Sequence, residues 1–477
     1  MTFRIRVEAR ADSAQRANDM GLIDKIAQYR ELKSGVKHCT FNPYGPGVVR
    51  MHLIPPKFKL LGNSSYILIL NGYYLLPIGY SWAIMLSDFI TETNHYDGRE
   101  INESDYIGII NETVKNTKKV YPLLSSDEIR EDLDYMLDVI FAVARGERVD
   151  ADIERMSIRS YAKNMYAPHR MDLMVSSMTD SEGRWKCNQK CTFCYAAGES
   201  LSSARELSLD DWKCAVDILK KAGVPMLTFT GGEPTQREDL CELIEYSKWF
   251  VTRLNTNGTL LTPDLCEKLC RASLDSVQIT LYSHNEDIHN ALVGSKHFSD
   301  TVAGIRNAIS AGLDVSINTP ICKRNSNYIS TLEFAHSLGV RFVTVSGLIC
   351  TGGAGSKHDD FDLSADELYE IVKSAKQYCD ENGMEIDFTS PGLIEDSKLA
   401  ELNMNVPMCG ACLSNMAIAP DGSVIPCQSW LSEGSSLGNI LTTSFKDIWN
   451  KKECLALREM TEKEARCCPF RKRGENG

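Results

Sequence analysis

The sequence lacks features that define several large classes of protein. Its first twenty residues, MTFRIRVEARADSAQRANDM, carry charges throughout and have no apolar segment of the kind found in secretory signals. It has no excess of positive charge either, since 52 basic and 64 acidic residues give a formal net charge of -12. Nucleic-acid binding relies on basic surfaces. No low-complexity tract or repeat is present. We therefore expect a globular cytoplasmic protein with no nucleic-acid partner.

Charge is missing from one long run, residues 64–87, which is long enough to cross a bilayer. Within this run, YILIL and YYLLP flank Asn71 and Gly72, a pair that suits the positive φ angles of a type I′ turn. Pro77 and Gly79 then interrupt any continuous helix. Composition alone does not exclude a membrane span. The turn and helix-breaking residues nevertheless favour a β-hairpin, so no membrane partner is expected.

Cysteine, in contrast, is abundant, with 17 residues. In a reducing compartment disulfides are poor candidates, and close cysteine spacings point to metal or cluster ligands. The stretch KCNQKCTFCYAAGE places Cys187, Cys191 and Cys194 close together. Structural zinc normally takes four protein ligands, whereas three thiolates on a four-iron cluster leave one iron open to a small molecule. From the spacing alone, a partial zinc site and three unrelated thiols remain alternatives.

Residues 1–150 predict a small α+β domain. After an irregular start, we expect a short strand at KFKLL (57–61) and then the hairpin. Helical patterns follow over 80–91, 103–117 and 126–145. The expected order is three strands followed by three helices.

Residues 165–385 alternate β-rich runs with helical stretches, which predicts an α/β fold. Parallel strands need crossover connections, so six such units indicate a partial (β/α)6 TIM-type barrel with its chemistry at the carboxyl ends of the strands. The six predicted strands are MDLMVSS, MLTFT, VTRLNT, SVQITLYS, DVSINTPI and RFVTVSGLI.

The cysteine motif, C-x3-C-x2-C with Phe193 before the last cysteine, resembles the cluster motif of the radical S-adenosylmethionine (radical SAM) superfamily. The resemblance implies that Cys187, Cys191 and Cys194 hold a [4Fe-4S] cluster. Its open iron would bind the amino and carboxylate groups of S-adenosylmethionine, with Phe193 beside the cofactor. It also implies an oxygen-sensitive enzyme that receives electrons from a reductase, a flavodoxin or a ferredoxin.

Later strand ends extend this resemblance. TFTGGEPTQRED is similar to the family's GGE motif, which is implied to receive the amino group of S-adenosylmethionine, and its residues are Gly231, Gly232, Glu233 and Pro234. VSGLICTGGAG resembles the adenine-side loop. Polar residues at strand ends are implied to meet the ribose and carboxylate, although each could simply cap a strand. They are Asn255, Thr280 and Asn318.

The C-terminal stretch CGACLSNMAIAPDGSVIPC contains Cys409, Cys412 and Cys427, with a PDG turn between two strand-like arms. Together with Gly422, this spacing resembles the SPASM or shorter twitch extension of radical SAM enzymes. Residues 400–477 are therefore implied to hold an auxiliary [4Fe-4S] cluster, with Cys467 or Cys468 as fourth ligand. A full SPASM series has further cysteines, of which only Cys454 and the adjacent Cys467 and Cys468 are present here. The resemblance therefore implies at least one auxiliary cluster and does not support a second complete one. A zinc ribbon remains an alternative.

The N-terminal order of strands and helices resembles winged-helix peptide-recognition elements, which implies binding of a leader peptide by strand addition. A packing or dimerisation domain is the alternative. The combined expectation is a radical SAM maturase that cross-links a ribosomally made precursor peptide through a carbon–carbon or thioether bond. Alternatives are a sulfatase-maturating dehydrogenase, a small-molecule radical SAM enzyme and a zinc-stabilised binding protein. No catalytic acid, base or hydrogen donor can be named from the sequence.

Overall fold

The computed structural model forms two compact units. One contains Met1–Ala167, Lys220–Pro225 and Trp249–Val251, and the other contains the rest of the chain. The residues that the structure describes are 35–41, 48–56, 65–96, 99, 101–147, 149, 155–349, 351–356, 361–432, 434–464 and 468–469.

The first unit contains a four-stranded antiparallel sheet followed by helices. The strands are β1 Lys37–Phe41, β2 Val49–Ile54, β3 Tyr66–Leu70 and β4 Tyr74–Ile78, in the order β1-β2-β3-β4. The helices are α1 Tyr80–Thr93, α2 Glu103–Val120, α3 Ser126–Ala144 and the short α4 Ile158–Tyr161. The predicted irregular start was wrong, because β1 and β2 lie there. The predicted strand at 57–61 lies outside the described residues.

The hairpin is confirmed. Asn71 (φ 50°) and Gly72 (φ 69°) both take positive φ angles, as a type I′ turn requires. The charge-free run therefore folds as strand, turn, strand and the start of α1. In the part of the chain that the structure describes, no helix has both the length and the apolar character to span a membrane.

Three of these four helices, α2, α3 and α4, begin where the sequence supplies a side-chain cap. Ser125 accepts a hydrogen bond from the Glu128 backbone N–H at 3.1 Å, and the Glu128 carboxylate accepts from Ser125 N–H at 2.8 Å. This reciprocal pair satisfies two amide groups that the first helical turn leaves free. The helices and the sheet share one apolar core.

The second unit is built on a ten-stranded sheet whose first seven strands form the partial barrel. They are β5 Arg170–Ser176, β6 Met226–Gly231, β7 Val251–Thr256, β8 Ser276–Thr280, β9 Asp314–Pro320, β10 Phe342–Ser346 and β11 Glu385–Phe388. Their spatial order runs from β11 to β5, and the registers of β5–β6 and of β7 through β11 are parallel. All six predicted runs form strands, and β11 is an additional one.

Helices connect these strands as the α/β pattern predicts. They are α5 Leu209–Ala222, α6 Leu240–Tyr246, α7 Pro263–Arg271, α8 Glu286–Val293, α9 Phe298–Ser310, α10 Tyr328–Ser337, α11 Ala365–Glu381 and α12 Asp396–Glu401. Helix α8 was not predicted. It has only eight residues, too few to show a clear helical repeat of apolar positions. A start signal is present, because Asn285 Oδ1 caps the helix by accepting a hydrogen bond from Ile288 N–H at 3.1 Å.

The C-terminal region continues the barrel sheet. Strand β12 (Asn415–Ile418) pairs in parallel with β5 and antiparallel with β13 (Ser423–Ile425), and β14 (Gly438–Asn439) follows. The PDG segment forms the turn of the β12–β13 hairpin, where Gly422 has φ 87°. Helices α13 (Phe445–Trp449) and α14 (Lys452–Glu464) complete this region. The C-terminal hairpin therefore lies beside the strand that precedes the N-terminal cysteine motif.

Candidate active site

The predicted site residues follow the carboxyl ends of parallel strands. The three-cysteine motif follows β5, the GGE motif begins at Gly231, the last residue of β6, and the NTNG segment (residues 255–258) covers the end of β7 and continues past it. Thr280 ends β8, and Asn318 lies near the end of β9. Because parallel strands present their carboxyl ends at one edge of a sheet, these segments share the face on which TIM-type barrels carry their chemistry.

The cysteine loop is held by backbone hydrogen bonds from two sides. Lys190 N–H and Thr192 N–H donate to the carbonyls of Val293 (3.0 Å) and Leu292 (2.8 Å) at the end of α8, and Gly353 N–H donates to Cys194 O (2.8 Å). The loop position is therefore fixed by segments far away in the sequence.

Phe193 anchors the same loop. Its ring is buried and meets Phe361 edge to face, with 5.1 Å between centroids. It also belongs to an apolar cluster with Tyr282, Leu292 and Ala354. Its contacts in the structure thus make it a packing residue of the cluster loop, and its predicted contact with the cofactor stays a prediction.

The three thiols lie in a water-poor environment. Burial raises the pKa of Cys187 to about 12 and also raises the pKa of Cys191 and Cys194. Cys194 and Cys187 add to the shift at Cys191, so the three sulfurs are close enough to repel one another as thiolates. Such a group gains stability from cations that neutralise it, and thiolate-bound iron does this. The donor set therefore fits an iron-sulfur cluster.

The ligand assignment itself stays a prediction from the motif. Among the described residues, no three or more His, Cys, Asp or Glu side chains already have the geometry of a metal site.

The two glycines of the GGE motif are required by close backbone approach. Gly231 has φ 137°, and a Cβ atom there would overlap the backbone of Ser176. A Cβ atom on Gly232 would lie 2.7 Å from the Ser177 carbonyl oxygen. Gly232 N–H donates to Ser176 O at 2.7 Å, so β6 ends in direct contact with the end of β5. Pro234, which is buried, then starts a 3-10 turn.

Glu233 connects the ends of two strands. It is buried, and its carboxylate accepts hydrogen bonds from Thr256 Oγ1 (2.6 Å), Asn257 N–H (2.9 Å) and Thr235 N–H (3.0 Å), and also from the Thr235 hydroxyl. Burial raises the pKa of Glu233, and these donors oppose that shift. The carboxylate thus positions the β7 loop, a role that the sequence motif did not indicate.

A row of polar side chains crosses strands β7 to β10. Gln278 Nε2 donates to Thr344 Oγ1 at 3.3 Å, and Thr344 Oγ1 donates to Asn318 Oδ1 at 2.9 Å. Thr280 lies opposite Asn318 in register, and Asn255 lies opposite Gln278. Gln278 and Thr344 were missed, although the alternation in SVQIT and FVTVS places polar residues on one face of each strand.

Asn255 provides the clearest sign of a bound group. Its Oδ1 atom is buried and has no hydrogen-bond partner among the described residues. A buried acceptor without a donor costs free energy, so a ligand that donates a hydrogen bond would stabilise this position.

The C-terminal cysteines also come together. Burial raises the pKa of Cys427 to about 12, and Cys409 and Cys468 add to the shift, which places both near Cys427. Cys412 is buried and hydrogen-bonded to Cys454. The sequence had not assigned Cys454 to this site, because its spacing fits no part of the motif. Cys467 lies outside the described residues.

An apolar cluster links the two cysteine regions. Cys187, Cys194 and Tyr195 pack with Trp430 against small and branched side chains of the C-terminal hairpin, which are Ala417, Ala419 and Ile425. The hydroxyl groups of Tyr195 and Thr230 are 3.5 Å apart. The cluster brings residues next to both cysteine motifs together beside β5, which contributes Met174 to it.

Comparison with protein families assigns both regions. Residues 186–336 match the Radical SAM superfamily, and residues 409–469 match the SPASM iron-sulfur cluster-binding domain. These matches establish the cofactors as an S-adenosylmethionine-binding [4Fe-4S] cluster, S-adenosylmethionine itself and auxiliary iron-sulfur chemistry.

Individual relatives have different activities. The chain is 29% identical over 316 residues to the AdoMet-dependent heme synthase of Methanosarcina barkeri, covering 60% of this chain and 86% of that protein. It is 28% identical over 293 residues to the mycofactocin maturase MftC of Mycolicibacterium smegmatis, covering 59% and 71%. Its fold is similar to that of SuiB from Streptococcus suis, solved with the precursor peptide SuiA, with a TM-score of 0.58, 14% identity and coverage of 87% and 94%. The chain is therefore an enzyme of the radical SAM superfamily that carries a SPASM iron-sulfur cluster-binding domain.

Proposed function

We propose that this enzyme oxidatively cross-links a ribosomally made precursor peptide through a carbon–carbon or thioether bond. The observation that carries the proposal is the similarity to SuiB, which extends over 87% of this chain and therefore beyond the barrel and SPASM domains. The relationship to the mycofactocin maturase MftC supports the same substrate class. The enzyme would work in a reducing cytoplasm and receive electrons from a reductase, a flavodoxin or a ferredoxin.

When bound, the cofactors supply a 5′-deoxyadenosyl radical, which removes one hydrogen atom from the peptide. They also supply an acceptor for one electron, which the peptide releases when a second hydrogen leaves as a proton. Cys187, Cys191 and Cys194 would hold the first cluster. Cys409, Cys412, Cys427 and Cys468 would hold the auxiliary cluster, with Cys467 as the alternative fourth ligand.

Polar groups of the barrel would orient S-adenosylmethionine. The tight turn at Gly231 and Gly232 permits close backbone approach at the end of β6. The free acceptor of Asn255 would take a hydrogen bond from the cofactor. Glu233 would act by holding the β7 loop that follows Asn255. The apolar cluster around Tyr195 keeps water from the reactive region.

The N-terminal unit would bind the leader segment of the peptide along β1. Asn71 N–H donates to Arg50 O (2.9 Å), and Arg50 N–H donates to Asn71 Oδ1 (2.8 Å), so the peptide groups of Arg50 face β3. Thr40 lies opposite Arg50 in register, and its own peptide groups therefore point away from β2.

Strand β1 suits strand addition better than β4, the other edge of the described sheet. Pro77 lies within β4 and lacks a backbone donor. On β1, the amide of Thr40 points outward, and Asn94 Nδ2 already donates to the outward carbonyl of His38 at 2.7 Å. An extended leader would pair with the outward groups that remain on β1.

Hydrogen exchange of the full-length enzyme tests this surface. The probe is the peptide encoded by a short reading frame next to the gene. We expect it to slow exchange of the Thr40 amide, while amides of β2, which pair on both sides with β1 and β3, stay unchanged. Unchanged exchange of the Thr40 amide would exclude leader binding on β1. It would not affect the cross-linking proposal, which the turnover experiment below tests separately.

Anaerobic turnover tests the reaction. Reconstituted enzyme with S-adenosylmethionine, a reductant and the same peptide should release 5′-deoxyadenosine and give a peptide that has lost two hydrogens. The heme synthase relative favours a second candidate, an iron porphyrin substrate. Iron coproporphyrin III, the porphyrin in the name of another relative, the Fe-coproporphyrin III synthase of Methanosarcina barkeri, is the parallel probe. Turnover of the porphyrin but not of the peptide contradicts the peptide proposal. The proposal is also contradicted if no short reading frame lies next to the gene and other precursor peptides tested give no 5′-deoxyadenosine.

A further inference from the structure

Cys454 lies beside a predicted ligand of the auxiliary cluster without belonging to the sequence motif. The side chains of Cys454 and Cys412 are hydrogen-bonded, and both residues are 0% exposed. Cys454 is on α14, whereas Cys412 precedes β12 and takes a positive φ of 56°. A helix outside the motif thus contacts the loop that carries the ligand.

Arg458, one helical turn after Cys454, holds both cysteines. Its Nη2 donates to Cys454 Sγ at 3.3 Å, and its Nε donates to the Cys412 carbonyl at 2.8 Å. Nη2 also donates to Trp449 O at 2.7 Å, and the guanidinium carbon lies 3.3 Å from the centre of the Trp449 ring. The planar, always-charged group is therefore fixed at several points.

The number of thiols decides the role of Cys454. A [4Fe-4S] cluster takes one thiolate at each of its four irons. Cys409 and Cys468 lie near Cys427, and Cys412 is near Cys427 as well. These four residues would complete the coordination of one auxiliary cluster, and Cys454 would then be a fifth thiol.

We propose that Cys454 and Arg458 are positioning residues of the auxiliary cluster, which hold Cys412 and raise the cluster's reduction potential without ligating iron. Without iron, the Cys412 thiol donates to the Cys454 sulfur. Once Cys412 binds iron as a thiolate it has no proton to donate, so the Cys454 thiol would donate to the Cys412 sulfur, and the guanidinium adds positive charge next to both. Hydrogen bonds to cluster sulfurs and nearby positive charge favour the reduced, more negative state of the cluster. The inference depends on Cys412 being a ligand, and it is independent of the peptide substrate.

Iron analysis and redox titration of full-length protein test the proposal. In a variant with Cys187, Cys191 and Cys194 changed to Ala, the measured iron content and midpoint potential belong to the auxiliary cluster alone. We expect Cys454→Ala to keep the iron content of this variant and to shift the midpoint potential, followed by electron paramagnetic resonance, to a more negative value. Cys454→Ser retains a donor and should recover part of the shift. Arg458→Gln should shift the potential in the same direction.

Cys379→Ala is the matched control, because Cys379 is also a fully buried cysteine in a helix. This substitution should leave the midpoint potential of the auxiliary cluster unchanged. Loss of the auxiliary cluster's iron in Cys454→Ala, with Cys467→Ala and Cys468→Ala each fully loaded, would make Cys454 a ligand and overturn the proposal. An unchanged potential in both Cys454→Ala and Arg458→Gln would overturn it too. Neither result bears on the peptide reaction.

Discussion

The backbone N–H of Gly353 donates to the carbonyl of Cys194 at 2.8 Å, so the glycine-rich loop after β10 supports the loop of the N-terminal cysteine motif. The contact is tight, because a Cβ atom on Gly353 would lie 2.6 Å from the Thr192 carbonyl oxygen. The neighbouring Gly352 has φ 53°, and a Cβ atom there would overlap the carbonyl oxygens of Cys194 and Tyr195. These glycines therefore determine how the cluster loop sits on the barrel.

Changing Gly352 to Ala should disturb the first cluster. The positive φ costs about 1 kcal/mol for any side chain, and overlap with two backbone oxygens should cost roughly 1–3 kcal/mol more. We expect a lower midpoint of thermal unfolding and a reduced iron content in anaerobically purified protein. Gly383→Ala is the control, since Gly383 has φ 65° but open space around it. Equal effects of the two changes would show that the cluster loop does not depend on this contact.

The two cysteine groups should load iron independently. Cys191→Ala should abolish the S-adenosylmethionine-dependent change in the cluster spectrum and leave the auxiliary cluster in place. Cys427→Ala should do the reverse, because the two sets of ligands come from different loops. Iron analysis with Mössbauer spectroscopy measures both. Cys214→Ala, at an exposed cysteine of α5, is the control. Loss of all iron in either variant would contradict separate clusters.

The barrel was predictable from the sequence because its short β-rich runs alternate with helical stretches. Six runs were recognised, and β11 was missed because EIDF has only four residues and two of them are charged. Strand β2 was missed for a different reason. All six of its residues are buried, including Arg50 and His52, and polar residues inside a buried strand conceal the pattern on which sequence analysis relies.

The positions of the site segments were predictable, whereas the contacts between them were not. The cysteine and GGE motifs could be placed because they follow recognisable strands. The hydrogen bonds of Glu233 to Thr256 and Asn257, and those of Arg458 to Cys412 and Cys454, join segments distant in sequence. Their donors and acceptors occur in most proteins, so only the three-dimensional arrangement identifies them.

Asn255→Leu should weaken binding of S-adenosylmethionine without unfolding the protein. Asn255 Oδ1 has no partner to lose among the described residues, so at this oxygen the change would remove only the hydrogen bond that we propose it accepts from the cofactor. A hydrogen bond is worth about 1 kcal/mol, or more with a charged partner, which corresponds to a dissociation constant raised roughly 5- to 30-fold. Anaerobic equilibrium dialysis measures it.

Asn307→Leu provides the contrast for this prediction. Asn307 Nδ2 donates to Leu261 O at 2.8 Å, so this change should lower stability and leave the dissociation constant unchanged. If Asn255→Leu destabilises the fold and binds S-adenosylmethionine normally, Asn255 is a structural residue and not a cofactor contact.

Glu233→Gln should change how stability depends on pH. Burial raises the pKa of Glu233 above its ordinary value, so the folded protein binds this proton more tightly than the unfolded chain does. That contribution to stability is complete below the unfolded pKa of about 4.3 and is lost as pH rises through the folded pKa. The variant stays neutral throughout, so the free energy of unfolding of the wild type minus that of the variant should fall as pH rises.

Urea unfolding at several pH values, from about pH 4 to pH 8, measures this difference. A constant offset of roughly 1–3 kcal/mol in favour of the wild type is expected as well, because an amide cannot accept all the hydrogen bonds that Thr235, Thr256 and Asn257 donate to the carboxylate. Glu245→Gln, at an exposed position of α6, should show neither effect. A difference that rises with pH would mean that the donors around Glu233 outweigh its burial and hold the folded carboxylate in its charged form.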